Sequence, residues 1–279
     1  GKVKLGTDTF INLGDPSKNL APGKRLVTKL YNASKLAHRH LVGFEPNAEN
    51  LTSQITYVVD RWIIAKLAHT CEKATQHFEE YDFAEALTVT ENFFWNDFCD
   101  NYLELVKGRL YGEMLKSAEE QMRKTAVNSA KTTLFVALET ILKLFSPFIP
   151  YITEEIWSWN FAGFSDKKSI HKTRWPSAES FLSAYDSESE EVGEILALAL
   201  ALARKAKSEL KISIKKQAKR IIYGFSSPEE VNPAVGEKLQ LVKEDLLVTA
   251  NVDELLFLNE ALEDATGLEH SNLKAKLIL

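Results

Sequence analysis

One stretch of the sequence places cationic, amide and apolar side chains at the spacing of a single helix face. Residues 24–40 read KRLVTKLYNASKLAHRH, and the apolar residues among them recur with the period of a helix that ends near Leu41. Projection at about 100° per residue gathers two arginines, a lysine, an asparagine and a leucine on one arc roughly 80° wide. We call this arc the Asn32 face, and its residues are Arg25, Lys29, Asn32, Leu36 and Arg39.

The residue types on the Asn32 face suit contact with a nucleic acid. Guanidinium and ammonium groups bind phosphates, an amide hydrogen-bonds a base edge, and an apolar side chain packs on a base. An adjacent arc carries Leu26, Leu30, Ala33 and Ala37, which predicts the side of the helix that packs into a core. Long basic side chains are also ordinary on a solvated helix, so the pattern leaves both interpretations open.

A second concentration of positive charge lies about 170 residues further along the chain. Glu209 is the only acidic residue in this basic segment. The segment is therefore a candidate for contact with an RNA backbone. A solvated helix end is the other interpretation, since lysines near a helix C-terminus interact favourably with the helix dipole. The lysines assigned to this candidate contact are Lys205, Lys207, Lys211, Lys215 and Lys216.

Catalytic and metal chemistry are not predicted from these residues. The stretch APGKR resembles a phosphate-binding loop, but Lys18 stands where that motif needs a glycine and no Ser or Thr follows Lys24. His38 and His40 are two residues apart on a helix and point to different sides, so no metal site is expected there. No nucleophile, base and orienting group can be assembled, and we therefore assign no catalytic residue.

Composition favours a mainly helical protein without disulfides. The chain has 279 residues, a net charge of −5, 12 glycines, 8 prolines and 2 cysteines. Few glycines and prolines with many helix-forming residues favour α-helix, and two cysteines indicate a reducing compartment rather than a disulfide framework. A negative net charge excludes a histone-like polyelectrolyte, so any nucleic-acid contact must come from a local patch. No apolar run is long enough to cross a membrane.

The hydrophobic pattern predicts an antiparallel helix bundle in residues 24–180. Helices are expected over 52–78, from Asp82 with Glu85 as its capping box, over 118–145, and again from Pro150. In the second of these, Phe93, Phe94 and Trp95 are assigned to the core because aromatic residues at helical spacing pack inward more often than they bind. A boundary is expected in the polar loop 161–186, where SIHKTRWP provides an aromatic anchor.

The remaining part, residues 181–279, differs in kind. A helix is predicted over 187–210, followed by short β-like runs at 219–225 and 254–258 with helical residues at 233–246 between them. Residues 1–23 are polar and lack an initiator methionine, which suggests the junction of a longer chain. The predicted fold class is therefore mainly α, a helix bundle followed by a small α+β subdomain.

Six motifs together resemble the C-terminal region of the valyl-tRNA synthetase family of class I aminoacyl-tRNA synthetases. KLYNAS and FFWNDFCDNYLEL resemble the valine enzyme specifically, whereas several of the motifs are shared with the isoleucine and leucine enzymes. The likeness covers residues 1 to about 225, and its motifs, in chain order, are TKLYNASK, DRWIIAKL, YDFAEAL, FFWNDFCDNYLEL, SPFIPYITEEIW and SIHKTRWP.

The resemblance implies an anticodon-binding bundle that positions a valine tRNA for charging. Carried over by position, Lys29, Asn32 and Ala33 match the residues around the bases read, and Leu36 stands where an aromatic side chain often stacks. Asn32 is the first candidate for a base-edge hydrogen bond. The resemblance also implies catalytic and editing domains upstream, with ATP and Mg used there and no cofactor in this part.

Several further expectations follow from the same resemblance. Without the nucleotide-binding signatures of the catalytic domain, residues 1–279 are predicted to be inactive by themselves. The expected state is a monomer in the cytoplasm that has no contact with a membrane. Two alternatives stay open at this point: the same region of an isoleucyl-tRNA synthetase, and a helical protein-interaction scaffold without enzymatic function.

Overall fold

The computed structural model describes residues 2–5, 9–12, 16–46, 51–112, 114, 119–165, 167–269 and 271–279, with side chains from residue 21 onward. A short antiparallel hairpin, β1 (Lys2–Leu5) and β2 (Thr9–Asn12), precedes a helical bundle. The helices of the bundle are α1 (Pro16–Leu41), α2 (Val58–Glu79), α3 (Phe83–Asn92), α4 (Leu103–Leu110), α5 (Glu120–Phe145) and α6 (Pro150–Asn160).

The C-terminal part adds a long helix and a small mixed sheet. The predicted class, a mainly α bundle followed by a small α+β part, is confirmed. The elements of this part are α7 (Ser187–Glu209), β3 (Ala218–Phe225), α8 (Pro233–Leu241), α9 (Lys243–Ala250), β4 (Val252–Ala261), β5 (Thr266–Gly267) and β6 (Leu273–Ile278).

Helix α1 is longer than the sequence pattern predicts. It begins at Pro16 rather than Lys24 and continues through Pro22, whose missing N–H removes one backbone hydrogen bond. The predicted stop is confirmed, because Gly43 has a φ of 71°, a left-handed conformation that glycine adopts without strain. The helix therefore presents the whole Asn32 face on one continuous rod.

Helices α3 and α4 are two ends of one rod that widens in its middle. The carboxylate of Asp82 accepts a hydrogen bond of 3.2 Å from the backbone N–H of Glu85, as the predicted helix start requires. Residues Phe93–Tyr102 between the two helices form a π-helical stretch, which we call the π segment. Inside it the rings of Phe94 and Phe98 stack with their centroids 6.3 Å apart. The predicted central position of this helix is confirmed by the burial of both rings.

The C-terminal part packs directly on the bundle. Helix α7 lies against α2 at Gly193, where a Cβ atom would come within 1.9 Å of the Trp62 ring. The indole N–H of Trp62 in turn donates to Glu194 at 3.1 Å. One cluster of buried apolar side chains runs from Leu26 in α1 to Ala275 in β6. The boundary predicted between residues 180 and 181 stays a prediction, and one core continues across it.

The small sheet has the strand order β4-β3-β6-β5, with β3 parallel to β4 and antiparallel to β6. Helices α8 and α9 form the crossover that a parallel pair requires. The predicted β-like runs correspond to β3 and β4, whereas β5 and β6 were not predicted. The hydroxyl of Tyr223 in β3 donates to the carbonyl of Ala199 at 2.8 Å, which fixes the sheet to α7.

A buried polar network joins the bundle to the C-terminal part. The carboxylate of Asp60 accepts two hydrogen bonds from the Arg109 guanidinium, at 2.6 and 2.8 Å, and one each from Tyr102 and Ser129. On its other side, the Arg109 Nε atom lies 3.8 Å from an Asp245 carboxylate oxygen in α9. The network thus links α2, the π segment, α4, α5 and α9 through charged groups that water does not reach.

Asp245 makes the stability of this junction depend on pH. Burial raises the pKa of Asp245 to about 6, although the Arg109 guanidinium acts in the opposite direction. Because the folded state holds the Asp245 proton up to a higher pH than the unfolded state does, this group lowers stability as the pH rises from about 4 to about 6. We expect Asp245→Asn to remove this loss, worth up to about 3 kcal/mol at pH 7. Urea unfolding at pH 4.5 and pH 7 measures it.

Glu263→Gln provides the control, because Glu263 is exposed and is not among the charged groups that shift the pKa of Asp245. The difference in unfolding free energy between the two pH values should shrink in Asp245→Asn and stay as in the unsubstituted chain in Glu263→Gln. An unchanged pH difference in Asp245→Asn would show that burial does not shift this group.

Candidate nucleic-acid interface

Helix α1 packs against α5 and α6 with one side, and several side chains on its opposite side are exposed among the residues that the structure describes. Small residues on the packing side, Ala33, Ser34 and Ala37, are buried and let the helices approach closely. His38 fixes the rotation of α1, because its Nδ1 atom lies 2.6 Å from the amide oxygen of Asn160 in α6. The projected packing arc is therefore confirmed, and the Asn32 face points away from the core.

The side chains of Arg25, Asn32 and Arg39 are exposed. None of the three makes a side-chain hydrogen bond or ion pair with another described residue. An asparagine amide without a partner in mid-helix has a donor and an acceptor available for a ligand. Helix α1 also contains no Asp or Glu, although the whole chain has a net charge of −5. The Asn32 face is therefore a local positive surface on an acidic protein.

Two other residues of α1 that were predicted to contact tRNA, Ala33 and Leu36, are less exposed than Arg25, Asn32 and Arg39. Ala33 is 5 % exposed and packs into the core, so its place among the tRNA-contacting residues is corrected: no side-chain contact is available there. Leu36 is half-buried and packs against the margin of the core. The outward surface thus consists mainly of cations and one amide.

The π segment adds Trp95, which the sequence analysis had assigned to the core. Phe93 and Phe94 are buried as expected, but Trp95 is half-buried and lines a groove beside α1. The widened helical turn places successive side chains at angles that a regular helix period does not predict. Trp95 therefore packs on the margin of the core rather than inside it, and its assignment to the core is confirmed only in part. The groove has a volume of about 440 Å³, and its other lining residues are Ala21, Lys24, Arg25, Thr28, Lys29 and Asn32.

Lys29 connects the Asn32 face to the π segment. Its ammonium lies 5.4 Å from the centre of the Trp95 ring and 3.5 Å from an Asp100 carboxylate oxygen. Arg204 of α7 reaches the same point, donating to the Asp100 backbone carbonyl at 2.7 Å and to the Asn101 side chain at 2.9 Å. Positive groups from α1 and α7 thus converge on one part of the π segment.

The second basic cluster divides into one buried lysine and several exposed ones. The Lys207 side chain is buried, and its ammonium donates to the backbone carbonyls of Ile214 at 2.9 Å and Ala250 at 2.7 Å. Burial lowers the pKa of Lys207. This geometry contradicts its predicted contact with RNA, because the ammonium already serves as a structural donor away from solvent.

The other members of the cluster remain accessible. Lys205 is exposed and donates to the Gly267 carbonyl at 2.6 Å. Lys211, Lys215 and Lys216 are exposed in the loop between α7 and β3, and their side chains make no ion pair with any residue that the structure describes. This loop begins about 8 Å along the helix axis from Arg204. The two basic surfaces are therefore neighbours through α7.

Other functional chemistry is not assembled by the described part of the chain. Within it, no group of three or more His, Cys, Asp or Glu residues is placed to hold a metal ion. In the same residues, the structure contains no helix with the length and apolar character needed to span a membrane. Cys71 and Cys99 are free and buried, and burial raises the pKa of each thiol to about 12.

Comparison with known proteins identifies the family of this bundle. Residues 60–222 match the family described as the anticodon-binding domain of tRNA ligase. The chain is 38% identical to a valine--tRNA ligase of Wolbachia sp. subsp. Brugia malayi over 241 residues, or 86% of this chain, and 37% identical to that of Thermobifida fusca over 262 residues, or 94%. A valine--tRNA ligase of Ehrlichia canis is 37% identical over 227 residues, or 81%.

The chain spans about a quarter of the length of these relatives, 26% in each case. The isoleucyl and scaffold alternatives are not favoured, since these relatives are named valine--tRNA ligases. The family match covers more than half of the chain, from within α2 to within β3, and includes α3, the π segment, α4, α5, α6 and α7, whereas α1 lies before the matched residues. This chain belongs to the anticodon-binding domain family of tRNA ligases.

Proposed function

We propose that this chain binds the anticodon loop of a valine tRNA and serves as the anticodon-binding part of a valine–tRNA ligase. The observation that carries the proposal is the Asn32 face: an exposed amide without a described partner, set between cations on an outward helix face. The membership in the anticodon-binding family and the names of the relatives support it.

Each residue of the Asn32 face has a distinct role in this proposal. Asn32 reads a base edge, because its amide offers both a donor and an acceptor. Arg25 and Arg39 bind phosphates on either side of it, about 21 Å apart along the helix axis. Lys29 binds a phosphate at the groove, and Leu36 packs beside the bases. An anticodon loop suits this surface because its bases are splayed out and accessible to side chains.

The exposed lysines of the second cluster extend the interface along the RNA backbone. Lys205, Lys211, Lys215 and Lys216 are assigned to phosphate contacts that carry no sequence information. Their position near Arg204 supports this role, since Arg204 and Lys29 both contact Asp100 of the π segment and so connect the two basic surfaces. Base reading would then come from α1 and added affinity from the end of α7.

The wider protein is part of the same proposal. We assign valine activation with ATP and Mg, and the editing reaction, to other domains of a full-length ligase. Residues 1–279 alone are expected not to charge tRNA. One copy of this chain is proposed to bind one tRNA. The complex is proposed to be cytoplasmic.

The decisive test compares two tRNAs that differ in one base. We expect the 279-residue chain to bind valine tRNA more tightly than the same tRNA with its central anticodon base exchanged, by about 5- to 100-fold for the loss of one base contact worth about 1–3 kcal/mol. Asn32→Ala should weaken binding of valine tRNA and abolish most of this difference. Fluorescence anisotropy of labelled tRNA at a fixed salt concentration measures both.

Asn272→Ala is the matched control, because Asn272 is an exposed asparagine in the C-terminal part. Log affinity should also fall linearly with log salt concentration, since binding releases counterions from phosphates. Equal affinity for the two tRNAs would contradict anticodon reading, and a lack of RNA binding even at low salt would contradict the proposed function as a whole.

A further inference from the structure

The groove between α1 and the π segment presents one aromatic ring beside the Asn32 face. We infer that Trp95 is a stacking platform for an unpaired base of the anticodon loop. This inference rests on the proposed tRNA binding and adds a specific residue to it, on a different element from α1.

The hydrogen bonding of Trp95 distinguishes it from the other tryptophans. The chain has five, and four of them donate their indole N–H to an acceptor in the folded chain. Trp95 makes no hydrogen bond with any residue that the structure describes. The four donors and their acceptors are Trp62 to Glu194, Trp157 to the Lys167 carbonyl, Trp159 to Glu155 and Trp175 to Thr75.

A half-buried indole with a free N–H has both an apolar surface and a polar handle for a ligand. The surroundings of Trp95 indicate which ligand. Three cations line the groove, Lys24, Arg25 and Lys29, and none of its described lining residues is acidic. The volume of about 440 Å³ lies in the range of sites for small organic groups, which is about 300–1,000 Å³. A nucleotide matches this combination, because it joins a flat aromatic base to an anionic phosphate.

The Trp95 ring is held in place from behind. It meets the edge of the buried Phe94 ring at 5.8 Å, and Phe94 meets Phe145 of α5 at 5.5 Å. A ring supported by core residues loses little freedom when a base stacks on it, so less of the stacking energy is spent on ordering the site. The platform is therefore preorganised.

Lys29 can exchange its contacts in the free chain for a contact with a bound nucleotide. In the free chain its ammonium lies over the Trp95 ring and near Asp100. An exposed cation–π contact is worth only about 0.5–1 kcal/mol, and an exposed ion pair is similarly weak. An incoming nucleotide offers a phosphate to Lys29 and a base to Trp95, so both side chains gain better partners. Asn32, on the same groove, is placed to reach the edge of that base.

An acidic peptide is the other class of ligand that a cationic groove with an aromatic ring can bind. RNA is favoured because the Asn32 amide has donor and acceptor groups suited to a base edge, whereas a carboxylate would use only the donor. Peptide binding is accordingly an outcome of the test rather than a second proposal.

The experiment compares Trp95→Ala and Trp95→Phe with the unsubstituted 279-residue chain, using valine tRNA and its anticodon stem–loop. We expect Trp95→Ala to bind both RNAs about 5- to 100-fold more weakly, the range found when one base–aromatic stack is removed. Trp95→Phe should stay within about threefold because it keeps an aromatic surface. RNA should quench tryptophan fluorescence in the unsubstituted chain, and Trp95→Phe should lose most of this quenching.

Trp159→Phe is the matched control, because Trp159 is also half-buried against α1 but contacts Tyr31 and His38 rather than the groove. It should keep both affinity and quenching. If Trp95→Ala does not fold, the quenching difference between Trp95→Phe and Trp159→Phe decides the question.

Two results would overturn the inference while leaving the proposed function intact. One is Trp95→Ala binding valine tRNA within twofold of the unsubstituted chain while the central-base discrimination persists. The other is RNA quenching that is equal in Trp95→Phe and the unsubstituted chain. Failure of the unsubstituted chain to bind tRNA would instead remove the proposed function. Tight binding of an acidic peptide that Trp95→Ala abolishes, without RNA binding, would reassign the groove.

Discussion

Replacing Arg109 by methionine is expected to lower the free energy of unfolding by about 3–5 kcal/mol, the usual loss when one partner of a buried ion pair is removed. The substitution leaves the Asp60 carboxylate fully buried with only the hydroxyl donors of Tyr102 and Ser129. It also removes the cation that faces Asp245 in α9. Urea denaturation followed by circular dichroism measures the loss.

Two variants test the explanation. Arg123→Met changes the same residue type at an exposed position and should alter stability by less than about 0.5 kcal/mol. Asp60→Asn combined with Arg109→Met removes both charges and should recover part of the loss, because a neutral buried group is cheaper than an unpaired one. A loss below about 1 kcal/mol in Arg109→Met would show that the network contributes little to stability.

The second large effect is expected for Lys207→Met. This change removes the donor that holds the carbonyls of Ile214 and Ala250, which belong to the α7–β3 loop and to α9. Each buried carbonyl left without a partner costs about 1–3 kcal/mol, so we expect a loss of about 3 kcal/mol in the free energy of unfolding. Thermal and urea unfolding would show the α7–β3 loop and sheet destabilised.

Lys211→Met serves as the comparison, since Lys211 is an exposed lysine four residues away. It should leave stability unchanged within about 0.5 kcal/mol and reduce the salt dependence of tRNA binding, with a slope smaller by about one. Lys207→Met should lower stability but leave the salt slope of tRNA binding unchanged, when binding is measured under conditions in which the variant is folded. A stable Lys207→Met protein with a reduced salt slope would mean that Lys207 contacts phosphate after all.

The two basic regions differ in how well a local sequence pattern predicts the exposure of their side chains. In α1 the hydrophobic period separated Leu26 and Leu30 from Asn32 and Arg39, and the structure confirms this separation. In the second region, Lys207 and Lys211 were indistinguishable from sequence, yet one is buried and the other is exposed. The difference depends on α9, which lies 36 or more residues later in the chain and supplies the carbonyl that captures Lys207.

Trp95 shows a second limit of the same kind. The sequence FFWNDFCDNYLEL has aromatic residues nearly all round a regular helix, which favours burial for each of them. In the structure Phe94 lies in the core, whereas Trp95 is half-buried on its margin and lines the groove beside α1. Adjacent helical residues point about 100° apart, so aromatic density alone does not decide which ring lies outside.

By itself, the sequence determined the local structure and the family resemblance. Helix period, caps and stop residues depend on neighbours within a few turns, and the order of motifs is read directly from the chain. Only the tertiary structure decided which charged side chains remain free, because burial and pairing depend on elements far apart in sequence. It placed Trp95 beside Lys29, enclosed Lys207 and Arg109, and left Asn32 exposed on its own face.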